Sequence, residues 1–390
     1  MTEPVSRTST ALLEAAYELS AQAASAADQI EQERRLPERL VRAIAEAGLF
    51  RMLVPASLGG SETDLITFAS VIEQIARGDA STAWCICQAA GSALVAAWMD
   101  RDAARCIFSD PRAVVARGVG SGTAVAVEGG YRLSGRWSFA SGCHHATWLE
   151  GSGTLIDQAG RQHRREDGSP DGRSVLFPAS CAQFEDVWHV SGLRGTGSDS
   201  YTVTDLFVPE ANVIRWATRR TETGPLYAFP SSSVYATGFA SVAMGIARGS
   251  LDAFVGLAQQ KRPRGATRIL RDSAVVHAQV ARAEAGLRSA RAFLHEAVRD
   301  AWEHATATGT LAIADRVLVR LAATHAIHAA AQVVDAMYHA AGATAIFSSN
   351  LFERRFRDVN AVTQQIQANQ THFETVGQFF LGLEPDMDYL

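Results

Sequence analysis

Residues 129–148, GGYRLSGRWSFASGCHHATW, gather in one stretch the side-chain types that can hold a planar ligand. Tyr131, Leu133, Trp137, Phe139 and Ser141 fall on alternating positions, with a turn expected at Ser134 and Gly135. That pattern predicts a hairpin showing one row of side chains to a cavity. Phe139 or Trp137 would lie against the ring of a heteroaromatic molecule, while Ser141 and the backbone of Gly142 reach its polar edge. The same alternation also fits the buried face of a β-sandwich, where aromatic residues are core.

Metal chemistry finds no support in the spacing. The five cysteines, Cys85, Cys87, Cys106, Cys143 and Cys181, are odd in number and irregular, which argues against a disulfide framework and for buried or free thiols in a reducing compartment. Cys85 and Cys87 sit in an apolar run without a second cysteine pair, and His144 and His145 are adjacent rather than one helical turn apart. Gly118, Gly120 and Gly122 are followed by a strand pattern instead of a phosphate-binding helix, so a dinucleotide fold is rejected.

Three segments must position this chemistry. From about residue 10 to 110 apolar residues recur at three-to-four spacing, with a helix predicted from Pro37 to Ala47 and ended by Gly48. Residues 61–64 and 79–82 supply helix caps, and the very apolar helix expected at 82–98 lacks a polar face, as a cavity-lining helix would. Near Pro111 the period becomes alternating and stays so to about Trp216, with the polar stretch 158–173 read as an exposed hairpin loop. Helical periodicity returns at about 232–260, 272–305, 311–340 and 350–382, which implies an antiparallel four-helix bundle.

The chain has 390 residues, 47% of them hydrophobic, enough for a large core in two or three units. A net charge of −5 without a basic run argues against nucleic acid as a partner. The first residues lack a signal-peptide pattern and no stretch approaches 18 uninterrupted apolar residues, so a soluble cytoplasmic protein without membrane contact is expected.

The 129–148 stretch resembles the flavin-contacting hairpin of the acyl-CoA dehydrogenase superfamily, with Gly135, Phe139 and Ser141 at its glycine, aromatic and hydroxyl positions. Residues 186–209, DVWHVSGLRGTGSDSYTVTDLFVP, are similar to a second motif of one branch, the class D flavin-dependent monooxygenases. That branch includes the oxygenase components of p-hydroxyphenylacetate hydroxylases, dibenzothiophene monooxygenase and amino-sugar N-oxygenases. The resemblance spans roughly residues 30 to 383 and implies an α+β fold: an N-terminal helical domain over 1–112, a central β-barrel or sandwich over 113–222, and the helix bundle over 223–390. It further implies a homotetramer, reduced FMN or FAD delivered by a separate NAD(P)H-flavin reductase, O2, and a small aromatic or polycyclic substrate.

Within that resemblance Ser141 would meet flavin N5 and Gln365 would stand where a histidine is common, with His372 as a replacement on the same face of one continuous helix. Arg262, Arg264 and Lys261, with Ser348, Ser349 and Asn350, are the candidates for flavin phosphate, reached across a subunit interface. Trp84, His145, Trp148 and Trp188 would wall the substrate pocket, and Arg357 with Asp358 would form an ion pair in the bundle. An acyl-CoA dehydrogenase reaction needs a glutamate base, yet no carboxylate lies between Asp358 and Glu374 after the matching ERRFRD run at 353–358. The alternatives are a dehydrogenase with a displaced base, or a flavin-binding relative without turnover.

Overall fold

The computed structural model describes residues 7–157, 159–216, 220–388 and 390. The N-terminal helices are α1 (Ser9–Glu33), α2 (Glu38–Glu46), α3 (Leu65–Gly78), α4 (Ala80–Ala93) and α5 (Arg101–Phe108). Aspartates start three of them: Asp64 accepts from Thr67 N at 2.8 Å, Asp79 from Thr82 N at 2.7 Å, and Asp100 from Ala103 N at 3.1 Å. Gly48, at φ 75, follows α2 in the left-handed conformation that glycine adopts without strain. The apolar helix expected at 82–98 is α4 continued by a 3₁₀ turn over Leu94–Trp98, and it is buried on nearly every side.

The β domain contains β1 (Val115–Arg117), β2 (Val119–Val127), β3 (Gly130–Ser138), β4 (Trp148–Ile156), β5 (Gly172–Pro178), β6 (Gln183–Glu185), β7 (Ser200–Pro209) and β8 (Val213–Ile214). They form one mixed sheet in the order β6-β7-β3-β2-β4-β5-β8, with β1 parallel to β4. The expected turn at Ser134 and Gly135 is corrected. Both residues lie inside β3, and the hairpin turn is at Gly129, φ 77, where Val127 pairs with Gly130. Ser134 and Gly135 instead mark a register shift against β7, with Ser134 Oγ accepting from Asp205 N at 2.9 Å. A Cβ on Gly135 would come within 2.7 Å of the Trp137 ring, which explains the glycine. Tyr131, Leu133 and Trp137 consequently belong to the β-domain core.

The C-terminal part consists of α6 (Ser231–Ala258), α7 (Ala274–Thr308), α8 (Ile313–Ala341), α9 (Leu351–Thr363) and α10 (Thr371–Phe380). The single helix expected at 350–382 is two helices separated by a 3₁₀ turn at Ile366–Ala368. One large apolar core joins α1, α3 and α4 to this bundle. Three helical segments, Ala80–Trp98, Ser231–Ala258 and Ile313–Ile346, are long and apolar enough to cross a membrane, and their apolar windows are 94%, 67% and 61% buried within the protein itself. The apolar surface of α4 and of the first half of α6 therefore faces protein, and β1 packs against α4.

Candidate active site

The two motif stretches meet edge to edge. Ala140 N donates to Asp199 O at 3.1 Å and Gly142 N to Thr196 O at 2.9 Å, so the segment after β3 and the segment before β7 are laced together. Side chains complete the seam: His144 Nε2 lies 2.7 Å from Asp199 Oδ2, and Asp199 Oδ1 accepts from Val187 N and Trp188 N at 2.8 Å each. Leu193 N, in the same loop, donates to Asp358 Oδ1 of α9 at 2.7 Å. This loop is thus held by the β domain on one side and the bundle on the other.

Ser141 is buried in that seam. Its Oγ accepts from Trp84 Nε1 of α4 at 3.0 Å and lies 2.7 Å from Ser198 Oγ, which is 2.7 Å from Thr196 Oγ1. Trp84 stacks on Phe239 of α6 at 4.0 Å between ring centroids and 8° between planes. Phe239 stacks in turn on Tyr235, whose hydroxyl is 3.2 Å from Ser92 Oγ. Sequence reading found Trp84 and Ser141 but missed Ser198, Thr196, Phe239 and Tyr235. The GTGS run carried the first two; nothing in the helical text of α6 distinguished the aromatics from core.

Phe139 is the strained member. It leaves β3 at φ 58 with 62% of its surface exposed, and its ring meets Trp188 edge-on at 6.0 Å. A positive φ at a bulky non-glycine residue costs on the order of 1–3 kcal/mol and marks sites held for a purpose. Gly142 plays another part than expected: its N–H is taken by Thr196 O and its carbonyl accepts from His145 N and Ala146 N, so its backbone faces the seam. His145 is stacked on Phe50 at 5.4 Å, and burial, with the neighbouring His144, holds its imidazole down at about 4, a neutral ring at working pH.

The remaining candidates are scattered. Trp148 packs against the cluster that holds Ile107 and Phe108 of α5 and Val115 of β1. Gln365 caps the 3₁₀ turn, its Oε1 accepting from Gln367 N at 2.6 Å, and His372 Nε2 donates to Ile366 O at 2.8 Å. Because α9 stops at Thr363, Gln365, Asn369 and His372 do not share the face of one helix. Burial and the Arg320 guanidinium lower the His372 pKa. Arg357 pairs with Glu31 at 2.8 Å and with Glu353, while Asp358 holds Leu193, which corrects the expected Arg357–Asp358 pair.

Arg262 and Arg264 are exposed beyond the far end of α6, which rises about 28 Å between Phe239 and Ala258. Lys261 there holds Ala341 O and Thr344 Oγ1, Asn350 caps α9, and Ser348 is exposed nearby in sequence. The phosphate candidates therefore gather at one end of the bundle and Ser141 lies at the other.

Residues 6–101 and 237–370 match the families described as acyl-CoA dehydrogenase, N-terminal domain and C-terminal domain. Over 363 residues the chain is 30% identical to indole-3-acetate monooxygenase of Pseudomonas putida, spanning 93% of this chain and 91% of that one. The chain belongs to the flavin-dependent monooxygenases of the acyl-CoA dehydrogenase family. The oxygenase component of FADH2-dependent resorcinol hydroxylase from Rhizobium sp. is also 30% identical, over 385 residues that span 94% of this chain and 92% of that one. XiaF from Streptomyces sp., solved with FADH2 and glycerol, matches with a TM-score of 0.89 at 28% identity over 98% of each chain.

A reduced flavin is thus named for the resorcinol hydroxylase and bound in XiaF. The residues of the present chain fit such a group: Phe139 offers an exposed aromatic face, and two residues on Ser141 holds a hydroxyl 2.7 Å from Ser198 Oγ.

Proposed function

We propose that the protein is the oxygenase component of a two-component system, taking reduced FMN or FAD from a separate reductase and placing one oxygen atom of O2 on a small aromatic substrate. The observation that carries this is the Ser141 hydroxyl, fixed at 3.0 Å from Trp84 Nε1 and 2.7 Å from Ser198 Oγ where α4, α6 and the β domain meet. When bound, the reduced flavin supplies the electrons that activate O2. Ser141 holds its proton toward Ser198, ready to be turned to the flavin; Trp84 and Phe239 form a dry aromatic wall beside it; and Phe139 orients the ring system. His145 stays neutral and shapes the floor.

Arg262 or Arg264 reaches a flavin phosphate only from a second copy of the chain, because a single copy separates them from Ser141 by the length of α6. The relatives named for indole-3-acetate and resorcinol support an aromatic ring as the acceptor of oxygen. The test is to mix the protein with reduced flavin, isotopically labelled O2 and a panel of indoles and phenols. Label in the organic product supports the reading; label recovered only in H2O2 and water with every ring tried sinks it.

A further inference from the structure

The β domain carries a charged pair that this reaction does not use. β1 and β4 run parallel with Arg117 directly opposite Glu150, so both side chains leave one face of the sheet. Two residues earlier on that face, Val115 and Trp148 pack with Ile107 and Phe108, so it is the face turned toward the helices. Glu150 is 5% exposed, and its Oε2 has no hydrogen-bond partner among the described residues. Arg117 Nε stands 3.8 Å from that oxygen, near enough to balance its charge and too far to donate to it. A buried carboxylate oxygen without a donor is costly, and a donor arriving with a ligand removes the cost.

Both side chains line a cavity of about 250 Å³ together with Ser152, Ser174, Trp216 and Ser231. Ser152, Ser174 and Trp216 also border a wider groove of about 650 Å³ beside the cavity. Its inner side adjoins the aromatic wall. Ser231, Tyr235 and Phe239 are four residues apart on α6 and share one face, about 12 Å from first to last. Arg117 interacts with Tyr235, Tyr235 stacks on Phe239, and Phe239 on Trp84 beside Ser141. The α6 face therefore runs from a polar cavity to the proposed ring site.

We propose that this cavity seats a neutral substituent of the substrate that both donates and accepts hydrogen bonds, such as a carboxamide or hydroxyl, and that Glu150 and Arg117 select it over a carboxylate or an ammonium group. The assignment rests on reading the Trp84–Phe239 wall as the ring site. The pair has no net charge: a donor N–H or O–H satisfies Glu150 Oε2, and an acceptor oxygen meets Arg117, whose side chain is 40% exposed toward the cavity. A carboxylate would meet Arg117 but be repelled by Glu150, and an ammonium would meet Glu150 but be repelled by Arg117, so each charged group loses to repulsion what it gains by pairing.

The experiment measures binding by calorimetry, with no flavin present, of three probes that share one ring: indole-3-acetamide, indole-3-acetate and tryptamine. The wild-type protein is expected to hold the amide at least ~10-fold tighter than either charged probe, the range set by one buried hydrogen bond to a charged group. Glu150→Gln should shift the preference to the acetate by uncovering Arg117, and Arg117→Gln should shift it to tryptamine. An amide that fails to bind, or binds no tighter than the acetate, overturns the assignment from the wild-type protein alone, whatever the folding of the variants. Folded variants that keep the wild-type order overturn it as well. Tight amide binding without oxygenation would count against the proposed reaction and leave the cavity assigned, whereas oxygenation of the acetate in preference to the amide would do the reverse.

Discussion

The hydroxyls of Ser141 and Ser198 lie 2.7 Å apart in a buried row whose last member, Thr196, gives its proton to Leu193 O at 2.9 Å. With Thr196 so committed, Ser198 must donate to Thr196 and Ser141 to Ser198, while Trp84 N–H donates into Ser141 Oγ. Ser141 can offer its proton to a cofactor only when the row turns round. Ser141→Ala is therefore expected to raise the H2O2 released per reduced flavin several-fold, and Ser198→Ala to raise it less. The ratio of H2O2 to product reads both; a silent Ser198→Ala beside an uncoupled Ser141→Ala removes the row from the mechanism.

Trp84→Phe separates a donor from a wall. The phenyl ring can keep the stack on Phe239, but the N–H to Ser141 is lost, worth about 1 kcal/mol. Product yield should fall with flavin affinity unchanged. Equal losses in both would show that the indole acts only by packing.

Asp358 ties stability to pH. Burial, with Asp79 and Glu31 nearby, pushes its carboxyl up from 3.8 to about 7 despite the Leu193 N–H. Between those values the folded chain holds a proton that the unfolded chain has released, so this group's contribution falls as pH rises and stays lost above about 7. Asp358→Asn keeps an acceptor for Leu193 and carries no charge. It should match the wild type near pH 4 and exceed it by about 1–3 kcal/mol at pH 8 in denaturant titrations. The opposite pH trend would show that the carboxylate is stabilised by Arg357 rather than expelled by burial.

Gln365→His is expected to weaken the 3₁₀ turn by about 1 kcal/mol, the value of a lost cap, and to leave phenol hydroxylation unchanged. His372→Ala should lower the melting temperature without altering the pH profile of turnover, since its ring supports Ile366 O. A profile that loses a step near pH 6 to 7 would return His372 to the chemistry.

Arg262→Ala should weaken flavin binding without affecting folding, and light scattering should give a mass above that of one 41.8 kDa chain. A monomer at micromolar concentration would leave no second copy to bring Arg262 to the flavin.

The order of helices, sheet and bundle was readable because the hydrophobic period changes near Pro111 and again near Pro230. The hairpin turn was misplaced because Ser134 and Gly135 have turn composition; Gly135 is there to admit the Trp137 ring. The break after Thr363 has no glycine or proline to announce it, and the Gln365 cap becomes visible only once Gln367 is buried against Arg320. Phe139, Ser141 and Trp84 were legible through motif and burial. Glu150 and Arg117 were not, since they are 33 residues apart and only the parallel pairing of β1 and β4 makes them neighbours.

From Asp358 on α9, hydrogen bonds pass through Leu193, Thr196 and Ser198 to Ser141. Heat that loosens the bundle at α9 thus reaches the hydroxyl before the sheet that carries it comes apart. On warming, the enzyme should begin to waste its electrons as H2O2 while still folded, so its useful temperature limit lies below its melting point.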